Sequence, residues 1–163
     1  MIIEDFRKIV SDLKAGPIPG KHAYVWSGDK DSLLEITGKT LGEELDLSSD
    51  IDVDVSDEER NESDLGRLIE KALERKLFEL YSEVSRQGKQ QMLVVCSSSI
   101  LARYKMGLTI FYNYYLGDHT KVTFVAPKPQ TLINLTLPDY VKYDPEDTLK
   151  YLGNLLLTEN IVG

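Results

Sequence analysis

Five residues, Gly28, Asp29, Lys30, Asp31 and Ser32, stand between a β-type run (His22 to Ser27) and a helical pattern (Leu33 to Leu45). Glycine, lysine and serine after a strand are the ingredients of a phosphate loop. In the form G-x-x-x-x-G-K-[ST], glycines let backbone N–H groups wrap the phosphates and the lysine neutralises them. Here the residue five after Gly28 is Leu33, and Leu34 follows where the lysine belongs. Lys30 could still reach a phosphate and Ser32 a magnesium ion, so Gly28, Lys30 and Ser32 are the candidate cofactor-binding residues if a nucleotide binds. Asp29 and Asp31 oppose this, because they set two negative charges where a triphosphate would lie.

Other residues invite the same question. Gly38, Lys39 and Thr40 repeat the last letters of the phosphate-loop pattern, but Leu33 to Thr37 before them is not a flexible cradle. Met92 to Cys96 is an apolar strand-like run, and the position after it, where P-loop ATPases hold magnesium through an aspartate, is Ser97, followed by Ser98 and Ser99. A serine hydroxyl does not replace a carboxylate as primary ligand of a hard cation. Both Walker-type positions are thus degenerate, and no catalytic residue, metal site or cofactor is expected. Asp50, Asp52 and Asp54 alternate along a run that reads as an edge strand, where acids guard against unwanted pairing. His22, His119 and Cys96 have no partners at ligand or nucleophile spacing. The run Phe111 to Tyr115 could stack bases, with Arg103, Lys105 and Lys121 as accompanying cations, but helical spacing sends Leu108, Phe111 and Tyr115 to the core.

These residues need a scaffold. Ile2, Ile3, Phe6, Ile9, Val10 and Leu13 predict an amphipathic helix over 2–14, ended by the glycines and prolines of 16–20. A strand over 22–27 follows, then a helix over 32–45 capped by Asp31 or Ser32 and weakened by Gly38 and Gly42. A half-exposed strand over 51–55 and a long helix from a Ser63 cap to Gly88 come next. Strands over 92–96 and 121–126 flank a helix over 103–116. Possible strands at 132–137 and 140–143 precede a last helix with Pro145 in its first position. Strand–helix alternation of this kind specifies one domain over residues 1–163, a three-layer α/β fold with a mostly parallel sheet and right-handed crossovers.

Composition sets the outer bounds. The chain has 163 residues, 42% hydrophobic and 28% charged, and no apolar run long enough to cross a bilayer. The acidic N-terminal residues Glu4 and Asp5 and the single cysteine fit a cytoplasmic, reducing setting without a secretory signal. A net charge of −8 argues against non-specific nucleic-acid binding by the whole surface. The charge is uneven. From Glu43 to Asp64 eleven acids face only Arg60, a net of −10; from Arg86 to Lys128 six bases face only Asp118, a net of +5. That dipolar pattern favours docking to a charged protein or head-to-tail self-association.

The stretch from Met92 to Tyr143 resembles the small P-loop-like accessory proteins of bacterial and archaeal phage-exclusion (BREX-type) systems. The resemblance is carried by the apolar strand Met92 to Cys96, the polar turn Ser97 to Ser99, Ile100 and Leu101, a helix, the run Val122 to Pro127, and Leu137 to Tyr140. His22 to Leu45 matches the opening strand–loop–helix in layout. It implies a P-loop NTPase-like α/β fold and work among the protein subunits of a multi-subunit defence complex. Some members keep an intact phosphate loop and a strand-end aspartate. This chain departs from them at Leu33, Leu34 and Ser97. The expectation is a non-catalytic adaptor. The alternatives are a divergent ATPase subunit using Lys30 and Ser32, or a nucleic-acid-binding module using the basic 86–128 region.

Overall fold

The computed structural model describes residues 1–20, 22–53, 62–115, 117–126, 145–156 and 158–163. Among these residues five strands form one all-parallel sheet: β1 (Ala23–Trp26), β2 (Gly42–Asp46), β3 (Gln91–Cys96), β4 (Thr120–Val125) and β5 (Ile161–Val162), in the spatial order β2-β3-β4-β1-β5. The helices are α1 (Ile3–Ala15), α2 (Lys30–Leu41), α3 (Glu62–Gln87), α4 (Ser99–Arg103), α5 (Thr109–Tyr114) and α6 (Pro145–Leu155).

Period-two alternation along the strands builds two cores, one on each face. On one face Tyr24, Trp26, Met92, Val94 and Val125 pack against Phe6, Val10 and Leu13 of α1 and Leu33 and Leu41 of α2. On the other, Ala23, Val25, Leu45, Leu93, Val95, Val122 and Phe124 pack against α3, α4, α5 and α6 through Ile69, Leu73, Leu77, Ile100, Phe111 and Leu152. The result is the three-layer α/β arrangement expected from the alternation of elements. Strands buried on both faces read as near-continuous apolar runs, which is why β3 and β4 were plain in the sequence.

The segment 32–45 departs from expectation. The helix starts at Lys30, with Asp29 rather than Asp31 or Ser32 as its N-cap, and stops at Leu41; residues 42–46 are the edge strand β2. Gly38 makes the break, at φ 74° and ψ 168°, a conformation open essentially to glycine alone. Beyond it Leu45 and Leu47 are buried with a spacing of two rather than as part of a helical stripe. The edge strand expected at 51–55 is absent from its described part: 51–53 are not strand, Asp50 closes a turn after β2, and Asp54 lies outside the described residues. The helix expected at 103–116 is replaced by α4 and α5, separated by Lys105 at φ 52°. Ser63, expected as a cap, lies within the first turn of α3. The short strand β5 had no sequence signal, and the possible strands at 132–137 and 140–143 fall outside the described residues.

Connectivity fixes where a ligand crevice can lie. The chain leaves β1 onto the α1/α2 face and travels to the far edge at β2. It then works back through β3 and β4 by way of helices on the opposite face. The helices that next follow the neighbours β1 and β4, α2 and α6, therefore lie on opposite faces. That is the topological switch point, at whose carboxyl side open α/β sheets bind ligands.

Candidate functional site

The turn at this switch point is short. Only Ser27, Gly28 and Asp29 separate Trp26, the last residue of β1, from Lys30, the first of α2. Each is tied down. The Ser27 N–H donates to the Val162 carbonyl at 2.9 Å, and the Trp26 indole Nε1 donates to the Asp29 carbonyl at 2.9 Å. The same indole nitrogen lies 3.0 Å from where a Cβ on residue 28 would stand, so Gly28 serves close packing against Trp26. A phosphate cradle needs free amides at the head of the following helix. Here the Asp29 carboxylate takes that place, accepting from the Ser32 N–H at 2.9 Å and from the Ser32 hydroxyl at 2.8 Å. These two hydrogen bonds hold the Asp29 carboxyl below its ordinary value, so the cap stays charged at neutral pH.

Lys30 points to the neighbouring edge strand. Its Nζ donates to Glu44 Oε1 at 2.8 Å, and this hydrogen bond leads the causes that raise the Lys30 pKa. Gly28, Lys30 and Ser32 are thus neighbours in the fold, as their sequence spacing implied. Their polar groups face each other and local acids rather than a common vacant point.

A residue that the sequence marks only as one of the acids of 43–64 stands at the next strand ends. Asp46 closes β2 beside Ser97, which follows β3. Its Oδ1 accepts from the Ser97 hydroxyl at 2.7 Å, the Ser48 hydroxyl at 2.6 Å and the Ser48 N–H at 2.9 Å. Burial pushes the Asp46 carboxyl upward, but the Ser48 and Ser97 hydrogen bonds outweigh it and the net shift is down. A low-pKa carboxylate with three donors on one oxygen is a poor proton acceptor. The pair is a clasp between two strand ends, and it holds Ser97 at φ 56°, one of two non-glycine residues with positive φ among the described residues. Asp46 escaped notice because residues 32–45 read as helix, which left no strand end for it to occupy. The only available signal was the alternation of Gly42 to Leu47, hidden under the helical leucines. Asp50 is drawn in as well: its carboxylate accepts the Asp46 N–H at 2.7 Å. The carboxyl side of the sheet thus gathers Asp29, Asp31, Glu44, Asp46 and Asp50 at the ends of β1 and β2, where among the described residues Lys30 meets them, a field that repels polyphosphate.

The remaining candidates disperse. Gly38, Lys39 and Thr40 sit at the far end of α2, away from the switch point, with Gly38 at its kink. Cys96 is buried between the layers, and burial first, then Glu44, pushes its thiol up to about 12. His119 and His22 lie near the amino ends of the strands, His22 stacked on Tyr24 with ring centroids 6.5 Å apart. Among the described residues no three His, Cys, Asp or Glu side chains gather as metal ligands.

The nucleic-acid set does not assemble. Arg103 lies over the Tyr104 ring at 5.3 Å, and Lys105 follows it in an exposed turn beyond the carboxyl end of β3. Lys121, in contrast, is 0% exposed near the amino end of β4. Its ammonium donates to the carbonyls of Ile18, Gly20 and Gly117 at 2.8, 2.7 and 2.8 Å. Lys121 is a structural cation and presents nothing to a ligand. Period two explains this: Lys121 shares a strand face with Thr123 and Val125, the face covered by α1 and its following loop. Phe111 and Tyr115 are core residues, as their spacing implied.

Comparison with protein-family models, with curated proteins and with solved structures finds no match to this chain.

Proposed function

We propose that the chain is a non-catalytic, P-loop-like adaptor that docks onto protein subunits of a larger assembly. The P-loop-like part of this reading is supported by the strand–turn–helix unit at the switch point of an all-parallel sheet. The non-catalytic part is carried by one observation: the Asp29 carboxylate already occupies the head of α2, bonded to the Ser32 N–H at 2.9 Å, where a phosphate would have to bind. The setting, a multi-subunit anti-phage defence complex, follows from the family resemblance in the sequence.

A second reading, a divergent ATPase subunit, draws on Asp46, since a strand-end carboxylate does stand beside Ser97. Against it weigh the three donors on its Oδ1 and the pairing of Lys30 with Glu44.

Thermal unfolding with and without Mg·ATP decides between the two. A site filled at 100 times its Kd adds about 2.7 kcal/mol, which shifts the Tm of a chain this size by roughly 5–11 °C. The adaptor reading expects no shift. A saturable rise in Tm, abolished by Lys30→Ala, would establish the second reading instead.

A further inference from the structure

We propose that the cleft between α3 and α5 docks an acidic segment of a partner protein bearing one apolar anchor residue. The proposal rests on the adaptor reading above and names the chemistry of the partner. The cleft is open, about 490 Å³, and lined by Lys71, Glu74, Arg75, Phe78 and Tyr114. Phe78 is 59% exposed near the middle of a 26-residue helix, the most exposed aromatic ring among the described large apolar side chains. Its ring meets Tyr114 edge to face at 6.2 Å, and the Tyr114 hydroxyl donates to Glu74 Oε1 at 3.1 Å. Tyr114 is thereby held as a wall, and Phe78 stands beside it with one face uncovered. An exposed aromatic face beside such a wall gives a partner's apolar anchor residue a surface on which to be desolvated.

The charge around that pocket selects the partner. Arg67, Lys71 and Arg75 follow one another at four-residue spacing, so they form a single stripe on α3 leading to Phe78. Arg67 is paired with Asp64. The side chains of Lys71 and Arg75 have no ion pair or hydrogen bond among the described residues. In a chain of net charge −8, two unpaired cations beside an exposed aromatic complement an acidic peptide. Nucleic acid fits less well. Its regularly repeated phosphates would run past Glu70, Glu74 and Glu79 on the same helix, whereas a short peptide can set its acids against Lys71 and Arg75 and its apolar side chain against Phe78, with Glu74 engaged by the Tyr114 hydroxyl.

The test is selection of random 12-residue peptides displayed on phage against the full chain, followed by Kd measurement on the enriched peptides. The expected peptides carry Asp or Glu around a single Phe, Leu or Trp. Phe78→Ser should weaken them at least about tenfold. Arg75→Glu should weaken them and flatten their salt dependence, while Lys8→Glu on α1 leaves them unchanged. Phe78 and Arg75 are solvent-facing, and an unaltered circular dichroism spectrum confirms that each variant folds. Absence of enrichment, enrichment of basic or uncharged peptides, or binding indifferent to Phe78→Ser would each overturn the proposal. So would retention of the chain on an oligonucleotide that the same two variants abolish. The Mg·ATP measurement keeps the two readings apart. Stabilisation by nucleotide refutes the adaptor reading and leaves the peptide result standing, whereas failed peptide binding without a nucleotide effect removes this proposal alone.

Discussion

Lys121→Met tests whether a buried ammonium staples two loops to the sheet. Methionine keeps the unbranched stem and approximate volume of lysine but deletes three N–H donors. The carbonyls of Ile18, Gly20 and Gly117 then lose their common partner. Hydrogen bonds to a charged group are worth about 1.5–3 kcal/mol each, so the gross loss is roughly 4–9 kcal/mol. Two effects reduce it. The variant no longer strips water from an ammonium, a penalty of several kcal/mol in a protein interior. Residues 16–20 also lie at the surface, where the freed carbonyls of Ile18 and Gly20 can rehydrate. A net destabilisation of about 2–4 kcal/mol remains, equivalent to a Tm decrease of roughly 5–15 °C for a chain of this length. Urea unfolding gives the free energy directly, and amide exchange at residues 18 and 20 shows whether the loop is released. Lys121→Arg should also destabilise, because a planar guanidinium does not present three donors from one point. If Lys121→Met lies within about 0.5 kcal/mol of the parent, the ammonium is not a staple and the reasoning fails.

Other expectations follow from the same geometry. Cys96, with its thiol pushed up to about 12 and its side chain buried, should resist iodoacetamide at pH 8 in the folded chain and react in 6 M urea, on the order of its free rate; mass spectrometry reads both, and rapid native labelling would contradict the burial. Asp46 has a folded pKa below its unfolded value, so its contribution is present above the ordinary carboxylate range and lost as pH falls through the folded pKa. The stability advantage of the parent over Asp46→Asn should therefore be full at about pH 6 and shrink below about pH 4, and a gap that stays flat through that window would contradict the clasp. Gly38→Ala should destabilise by about 1–3 kcal/mol in urea unfolding, because alanine must hold a positive φ with an extended ψ; an unchanged midpoint would mean that the kink is not enforced.

The contrast between β3 and β2 shows what the sequence could and could not reveal. Met92 to Cys96 is buried on both faces, so its apolar run had one interpretation. Gly42 to Asp46 is an edge strand that buries Leu45 and leaves Glu43, Glu44 and Asp46 partly exposed; three polar residues around one leucine fit a helical period as well as a strand period. The deciding fact is the backbone of Gly38, which composition does not reveal. The site inherited that ambiguity. The Gly28–Ser32 turn was legible because strand, turn and cap are local in sequence. Asp46 meets Ser97 across 51 positions, through a strand pairing that no spacing rule supplies. Lys121 was misplaced for a related reason: charge marks a residue as solvent-facing until the carbonyls of a distant loop turn toward it.

Both open edges of the sheet bear on how a partner can engage. Leu47 donates its N–H inward to Cys96, so the parity of the parallel ladder turns the N–H groups of Gly42, Glu44 and Asp46 outward. Two of these are already used: Gly42 donates to the Gly38 carbonyl, and Asp46 to the Asp50 carboxylate at 2.7 Å. Only Glu44 is left, flanked by acidic side chains, and an added strand would find a single donor in a negative field. At the opposite edge the backbone of Met1 bonds to β5, donating to the Ile161 carbonyl at 2.7 Å and accepting the Gly163 N–H at 3.4 Å. Strand addition needs a row of free backbone N–H and C=O groups, and among the described residues the donors at both edges are largely taken. Among the described residues, side chains on the helical layers remain for recognition, and α3 sets the Phe78 ring beside the unpaired Lys71 and Arg75.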